Sequence, residues 1–223
     1  MQNEIEDRKQ SDIWLNEEKC IKLKERWGDY NTFNQGKKYN KNKKVIIETL
    51  NKLISKSNSP SILEVGCGCG HFLWSIKDFG ISKIIAFDYS PHMLEITKKQ
   101  FLRNNKNIQI DYMQGSCWEL PFDDNYVDIS YQVDVCMHIG GAWQSIKEMI
   151  RVSKKYILFT GVSFDNFNHA MDKKIGKLSW AISKPLLKNE LDKMIEDKII
   201  RKYKFVDRER TKMYKHKILI ISK

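Results

Sequence analysis

Long apolar runs are missing from this chain. No stretch of its 223 residues approaches the length needed to cross a bilayer. It opens Met-Gln-Asn-Glu-Ile-Glu-Asp, without the basic start and unbroken apolar segment of a secretory leader. A soluble protein of the cytoplasm is therefore expected, with no membrane partner. Cysteine is scarce and unpaired in pattern. Cys20, Cys67, Cys69, Cys117 and Cys136 form an odd set, with no two Cys-x-x-Cys units and no histidines at zinc-ligand spacing. That excludes a disulfide scaffold, argues against a metal site and fits reduced thiols. What is present is a 41% hydrophobic content, enough for one sizeable core. One domain with an N-terminal extension is expected.

The formal charge of +11 is unevenly spread. Residues 1–170 carry 23 Lys and Arg against 21 Asp and Glu, whereas residues 171–223 carry 16 against 7. The basic C-terminal part could attract an anionic partner such as a nucleotide, a phosphorylated metabolite or RNA, or its lysines could simply be solvated. Both readings stay open.

Ile13, Trp14, Cys20, Ile21, Leu23 and Trp27 recur at about helical spacing along a charged N-terminal segment, as in an amphipathic arm packed on a domain. An Asn- and Gly-rich loop with three aromatics follows, then a helical pattern over about 41–54. From Ser61 strand and helix alternate, the rhythm of a parallel sheet with crossover helices. Strands are predicted at 61–65, 83–87, 108–113, 126–133 and 155–162, and helices at 71–79, 91–104, 142–152 and 188–197. Residues 163–185 have no clean period, and the runs 199–206 and 214–221 read as an antiparallel hairpin. The expected fold is α/β and doubly wound: a seven-stranded, mostly parallel sheet with a C-terminal antiparallel hairpin and helices on both faces.

The strongest chemical signal is SILEVGCGCGHF, where an apolar strand ends in Glu64 and passes into Gly66, Gly68 and Gly70. Glycines there let the backbone turn tightly and approach a ligand, and a following helix would present free amides. The dinucleotide fingerprint would need glycine six positions on, where His71 stands, which counts against NAD. Asp88 lies 22 residues after Gly66 at the end of KIIAFD. In a doubly wound fold two adjacent strand tips share one crevice, so a carboxylate there can accept both hydroxyls of a ribose. Loop and acid together describe a nucleoside site.

At these residues the chain resembles the class I S-adenosylmethionine-dependent methyltransferases. Their glycine motif is similar to Glu64-Val65-Gly66-Cys67-Gly68-Cys69-Gly70, and the next motif to Asp88-Tyr89-Ser90-Pro91-His92-Met93-Leu94. The third is similar to Gly115-Ser116-Cys117-Trp118-Glu119-Leu120-Pro121-Phe122. The resemblance implies a methyltransferase domain over residues 59–223, preceded by a helical extension and flap over 1–58. The implied cofactor is S-adenosyl-L-methionine, leaving as S-adenosyl-L-homocysteine. It further implies that Glu64, Gly66, Cys67, Gly68 and Gly70 line the methionine part of the donor and that Asp88 holds the ribose. Tyr89 and Met93 would flank the adenine. Ser116 stands where the family often has an acid for the adenine amine, and its oxygen can still accept that bond. Cys117 would supply backbone contacts and Trp118 an apolar wall. Gln132 and Val133 match the positions nearest the transferred methyl, and Tyr30, with Tyr39, falls where similar enzymes place a flap.

Methyl transfer from a sulfonium is an in-line displacement, so the enzyme chiefly aligns two partners and excludes water. His138, just beyond the fourth strand, is the candidate base, since a neutral imidazole suits proton removal from a hydroxyl or amine. Some acceptors are argued down by absence. No Asn/Asp-Pro-Pro-Tyr/Phe sequence follows the fourth strand, the cysteines lack the Pro-Cys and Thr-Cys contexts of cytosine-carbon methyltransferases, and no added RNA-binding module is present. The leading expectation is O- or N-methylation of a small, anionic metabolite that is nucleotide-, phosphate- or sugar-linked. An RNA methyltransferase using the basic C-terminal region and a non-catalytic donor-binding subunit are the alternatives.

Overall fold

The structure is a computed structural model that describes residues 12–27, 40–77, 79–102, 108–136, 138–139, 141–163, 182–207 and 216–223. A short 3-10 turn, Asp12–Leu15, leads into α1 (Glu17–Trp27), and α2 spans Asn40–Ile54. The alternating part runs β1 (Ser61–Val65), β2 (Lys83–Asp88), α3 (Pro91–Leu102), β3 (Ile110–Gln114), β4 (Val127–Gln132), α4 (Ala142–Val152) and β5 (Ser153–Ser163). A two-residue β6 (Ile182–Ser183), α5 (Lys184–Glu196), β7 (Lys202–Asp207) and β8 (His216–Ser222) complete it.

The strands form one sheet in the order β3-β2-β1-β4-β5-β8-β7, with β6 paired beside the end of β5. Pairing is parallel from β3 through β5 and antiparallel for β8 and β7. This is the expected doubly wound α/β fold: seven strands along the sheet, a C-terminal antiparallel hairpin and helices on both faces. The strand order reverses beside β1, so the carboxyl ends of β1 and β4 flank the crevice where such sheets bind ligands.

Two apolar layers hold the sheet. On one face Ile46 and Leu50 of α2 and Leu94 and Phe101 of α3 pack on Ile62, Ile84, Tyr131 and Leu158. On the other, Ile146, Met149 and Ile150 of α4 and Leu187 and Leu191 of α5 pack on Leu63, Val65, Ile85 and Phe159. Neighbouring residues of β1 and β2 thus go to opposite layers, which is why these strands read as unbroken apolar runs rather than alternating ones. The helices are laid down by their own periodicity, as at Ile146, Met149 and Ile150, three to four apart on one stripe. Ser90 caps α3 by accepting from the amide of Met93 (3.2 Å), with Pro91 in the first turn.

One predicted element is absent. In place of a helix over 71–79 there is a single 3-10 turn, Leu73–Ser75, after which Ile76 is extended. Asn51 of α2 is the physical reason. Its side chain accepts from the amide of Lys77 (2.9 Å) and donates to the carbonyl of Ser75 (3.4 Å), taking over the groups that a continuing helix would use. The helix dipole expected behind the glycine loop is therefore not part of the site. Among the described residues no helix is long and apolar enough to cross a membrane. No cluster of potential metal ligands occurs among them either. All five cysteines are free and buried.

Candidate active site

The glycine loop follows directly from β1. Gly66, Gly68 and Gly70 all have positive φ (75°, 53° and 77°), a conformation costly for residues with a Cβ. The amides of Gly66 and Cys67 donate to the carbonyl of Phe87 at 2.7 and 3.0 Å, fastening the turn to β2. A Cβ on Gly66 would stand 2.3 Å from a Val135 methyl, and one on Gly70 2.8 Å from Thr97, so both are walled in. Gly68 differs: nothing lies within 4 Å of where its Cβ would be.

Asp88 at the tip of β2 turns towards this loop. Its carboxylate accepts from the amides of Gly68 (2.8 Å) and Ser90 (2.8 Å) and is buried. Burial pushes its pKa up to about 6, against the lowering effect of the amides of Ser90, Gly68 and Tyr89. Thr97 of α3 donates to the carbonyl of Gly68 (2.6 Å), so α3 and β2 hold the middle of the loop from two sides. Glu64 lies beneath the loop, 2% exposed, and accepts from the Tyr131 hydroxyl at 2.9 Å. Burial raises its pKa well above the carboxylate range.

The third motif lies in the segment between β3 and β4. Ser116 accepts from the amide of Trp118 (3.3 Å), and the carbonyl of Trp118 accepts from Gln144 of α4 (3.3 Å). Arg151 of α4 fixes the far end of the segment, donating to the carbonyls of Phe122 (2.7 Å) and Leu120 (2.9 Å) while paired with Glu148 and Asp124. Cys117 is buried, with Ser145 of α4 bonded to it and burial pushing its thiol up to about 12. Ser145 also accepts from the Gln132 side-chain amide (3.0 Å). The remaining Gln132 oxygen is buried without a hydrogen-bond partner among the described residues.

Beyond β4 the chain turns sharply at Asp134, whose φ of 57° is left-handed. Thr160 of β5 pins it, accepting from the Asp134 amide (2.9 Å) and donating to its carboxylate (3.0 Å). The turn carries Val135 onto Gly66 and leads to His138, whose amide donates to the carbonyl of Val135 (2.8 Å). The His138 ring meets Trp14 edge-on, centroids 5.0 Å apart. Burial lowers the imidazole pKa, opposed by the Asp134 carboxylate, so the ring is neutral at physiological pH. The N-terminal arm also reaches the glycine loop. Cys20, Cys69 and Met93 form one buried cluster with Trp14 and Leu23 against it.

The structure thus brings Glu64, the glycine loop, Asp88 and Tyr89 together at the tips of β1 and β2, with Gln132, Val133 and His138 at the tip of β4. Met93 is fully buried, and the Cys69 thiol donates to its sulfur (3.7 Å). It therefore packs the arm onto the loop. Tyr30 and Tyr39 lie outside the described residues. Sequence reading missed Thr97, Ser145 and Trp14. Thr97 and Ser145 are polar residues on otherwise apolar helix stripes, which is the signal that would have revealed them.

The residues present fit a nucleoside-bearing donor: open space before Gly68, an acid on the neighbouring strand tip bonded to the loop, and a buried acceptor left over on Gln132. Residues 63–158 match the family model described as a methyltransferase domain. The chain is similar to a sterol 4-C-methyltransferase of Caenorhabditis elegans, 26% identical over 137 residues, covering 59% of this chain and 41% of that one. It is also similar to an O-methyltransferase of Aspergillus nomiae, 26% identical over 99 residues, with 44% of each chain covered. The chain thus spans about two fifths of the length of these curated relatives. Among solved structures it is similar to magnesium protoporphyrin IX methyltransferase of Synechocystis PCC 6803 with bound SAH. That likeness has a TM-score of 0.66 at 14% identity, covering 94% of this chain and 96% of that one. By its matched segment, its strand order and its glycine loop, the domain over residues 63–158 is similar to the class I S-adenosylmethionine-dependent methyltransferases.

Proposed function

We propose that this chain binds S-adenosylmethionine between the glycine loop and Asp88 and passes its methyl group to an oxygen or nitrogen of a small, anionic acceptor. The observation that carries the donor half is Gly68: its amide is tied to Asp88 while its α-carbon faces open space. Small molecules are favoured as acceptors by the relatives, two of which are named for methylation of a sterol carbon and of an oxygen. The anionic character rests on the excess of lysine and arginine after Ala170. The five reduced, buried thiols fit a cytoplasmic setting.

When bound, S-adenosylmethionine supplies a methyl group made electrophilic by a positively charged sulfur. Asp88 accepts the ribose hydroxyls, Ser116 and the backbone of Cys117 border the adenine, and Tyr89 and Trp118 flank it. The backbone of the glycine loop approaches the methionine part. His138, neutral and beside the tip of β4, takes the proton from the acceptor's O–H or N–H as that atom is methylated. Trp14 shields the ring from water on one side.

Calorimetric titration with S-adenosylmethionine and S-adenosylhomocysteine tests the donor site. Micromolar binding, about −8 kcal/mol, that disappears in Asp88→Ala is expected. An absence of binding by the wild-type protein overturns the proposal. Once an acceptor is found, His138→Ala should lower turnover and leave donor affinity unchanged.

A further inference from the structure

Helix α1 presents one fully buried side chain to the rest of the protein. Asn16 caps the helix by accepting from the amide of Lys19 (3.0 Å), and most of its side chains are exposed. Among the described residues of the N-terminal arm, Cys20 alone is fully buried. Its sulfur lies 3.5 Å from the Ser90 hydroxyl, at the start of α3. The thiol donates to the carbonyl of Trp14 (3.5 Å), so in the pair with Ser90 the serine hydroxyl is the donor. Ser90 is buried as well and makes two further bonds. Its hydroxyl accepts from the amide of Met93 (3.2 Å), and its own amide donates to the Asp88 carboxylate (2.8 Å). The other Asp88 oxygen accepts from the amide of Gly68 (2.8 Å). One continuous run of hydrogen bonds therefore joins the arm to the acid and the glycine loop. Two more contacts seat the arm on the same corner: the carbonyl of Leu15 accepts from the His92 ring (3.3 Å), and Cys20 shares its apolar cluster with Cys69 of the loop and Met93 of α3.

We infer that Cys20 is a positioning residue of the donor site: from the N-terminal arm it fixes the Ser90 hydroxyl, and through Ser90 it fixes the direction of the Asp88 carboxylate. This rests on the reading of Asp88 as the ribose acceptor. Each Asp88 oxygen accepts one amide, Gly68 on one side and Ser90 on the other, so the lone pairs left for a ligand point where those two amides allow. The Gly68 amide belongs to the loop itself. The Ser90 amide belongs to a residue that the arm holds. Lifting the arm frees the Ser90 hydroxyl and uncovers Cys69 and Met93, which loosens the corner from which the carboxylate is aimed. An 11-residue helix with one fully buried side chain is held weakly, so it opens well below the free energy of global unfolding. Whatever the docked arm adds to donor binding, bound donor returns to the docking of the arm, because such coupling is reciprocal. Burial raises the Cys20 thiol pKa above its ordinary value and keeps the sulfur inert while the arm is seated. Its reactivity therefore reports how often the arm lifts.

The test needs no acceptor. Iodoacetamide labelling of the full-length protein is followed at each cysteine by peptide mass spectrometry, with and without saturating S-adenosylhomocysteine. Cys136, buried behind β4, reports global opening. Cys20 should label faster than Cys136, and S-adenosylhomocysteine should slow Cys20 about fivefold or more beyond any slowing at Cys136. Calorimetric titration supplies the second half. Cys20→Ala should weaken S-adenosylhomocysteine about threefold or more, and Cys20→Ser, which keeps a partner for Ser90, should restore most of that loss. The labelling half uses the unaltered protein, so it decides even where Cys20→Ala fails to fold. In a wild type that binds S-adenosylhomocysteine, and loses it in Asp88→Ala, unchanged Cys20 labelling or undiminished affinity in Cys20→Ala overturns the inference and leaves the donor-site proposal standing. A Cys20→Ser variant as weak as Cys20→Ala also overturns it, since packing alone then explains the loss. A wild type that binds no S-adenosylhomocysteine overturns both.

Discussion

Replacing Gly68 by alanine separates a glycine kept for folding from one kept for a ligand. Alanine preserves the amide that bonds Asp88 and the carbonyl that accepts from Thr97. It adds one methyl group where the protein has nothing within 4 Å. The folding cost is therefore the backbone term alone, about 1 kcal/mol for holding an L-residue at φ 53°. For a domain of this size that corresponds to a melting-point drop of roughly 2–4 °C. Donor binding should suffer more. A methyl group projecting into space that the donor fills should weaken S-adenosylhomocysteine at least about tenfold, or ~1.4 kcal/mol. Gly66→Ala is the counterpart, since its new methyl group meets Val135 at 2.3 Å. There the overpacking of about 1–3 kcal/mol adds to the backbone strain, and stability falls further. Scanning calorimetry and donor titration on both variants give the comparison. If Gly68→Ala binds S-adenosylhomocysteine as tightly as wild type, the space in front of residue 68 is not donor space and the placement of the methionine part is wrong.

Donor affinity should also fall with acidity. The ribose hydroxyls need an ionised acceptor, and Asp88 with a pKa of about 6 is ionised above that pH and protonated below it. Affinity should therefore be level above pH 7 and weaken about tenfold by pH 5, a trend that Asp88→Asn should abolish; a level profile in the folded wild type would contradict it. Arg151→Ala removes three bonds to the segment between β3 and β4, at the Phe122 and Leu120 carbonyls and the Asp124 carboxylate. We expect about 2 kcal/mol less stability in urea unfolding and a weaker donor site, with unchanged values speaking against a role for Arg151 in holding the Ser116–Trp118 stretch. Tyr131→Phe leaves buried Glu64 without its 2.9 Å donor. A loss of about 1–3 kcal/mol should follow, and one below about 0.5 kcal/mol would mean that the pair is energetically idle.

The parts of the fold that were legible in sequence are those determined by their own residues. SILEV and KIIAF are buried on both faces and announce themselves as parallel strands; Ala142, Ile146, Met149 and Ile150 set α4 by period alone. The glycine loop was legible for a related reason, since positive φ at Gly66, Gly68 and Gly70 demands glycine and leaves a mark in the chain. Elsewhere the deciding partner is remote. His71 to Phe79 has helical spacing, yet Asn51 on another element determines its course. Trp14 meets His138 across more than a hundred residues. Asp134 adopts the left-handed turn without being glycine, so nothing local marks it. The turn after β4 is built from such long-range meetings, and one sequence does not spell them out.

The antiparallel entry of β8 has a consequence for how the protein can change. His216, at the start of β8, pairs with Ser163 at the end of β5, and Asp207, at the end of β7, pairs with Lys217. Two intervals of chain, from β5 to β6 and from β7 to β8, thus depart from and return to the edge of the sheet that carries the glycine loop and His138. Insertions or exchanges in either start and finish at that edge and leave the β1–β2 half unaltered. Acceptor range is the property that such grafts would alter first, and the hairpin between β7 and β8 is the place to begin.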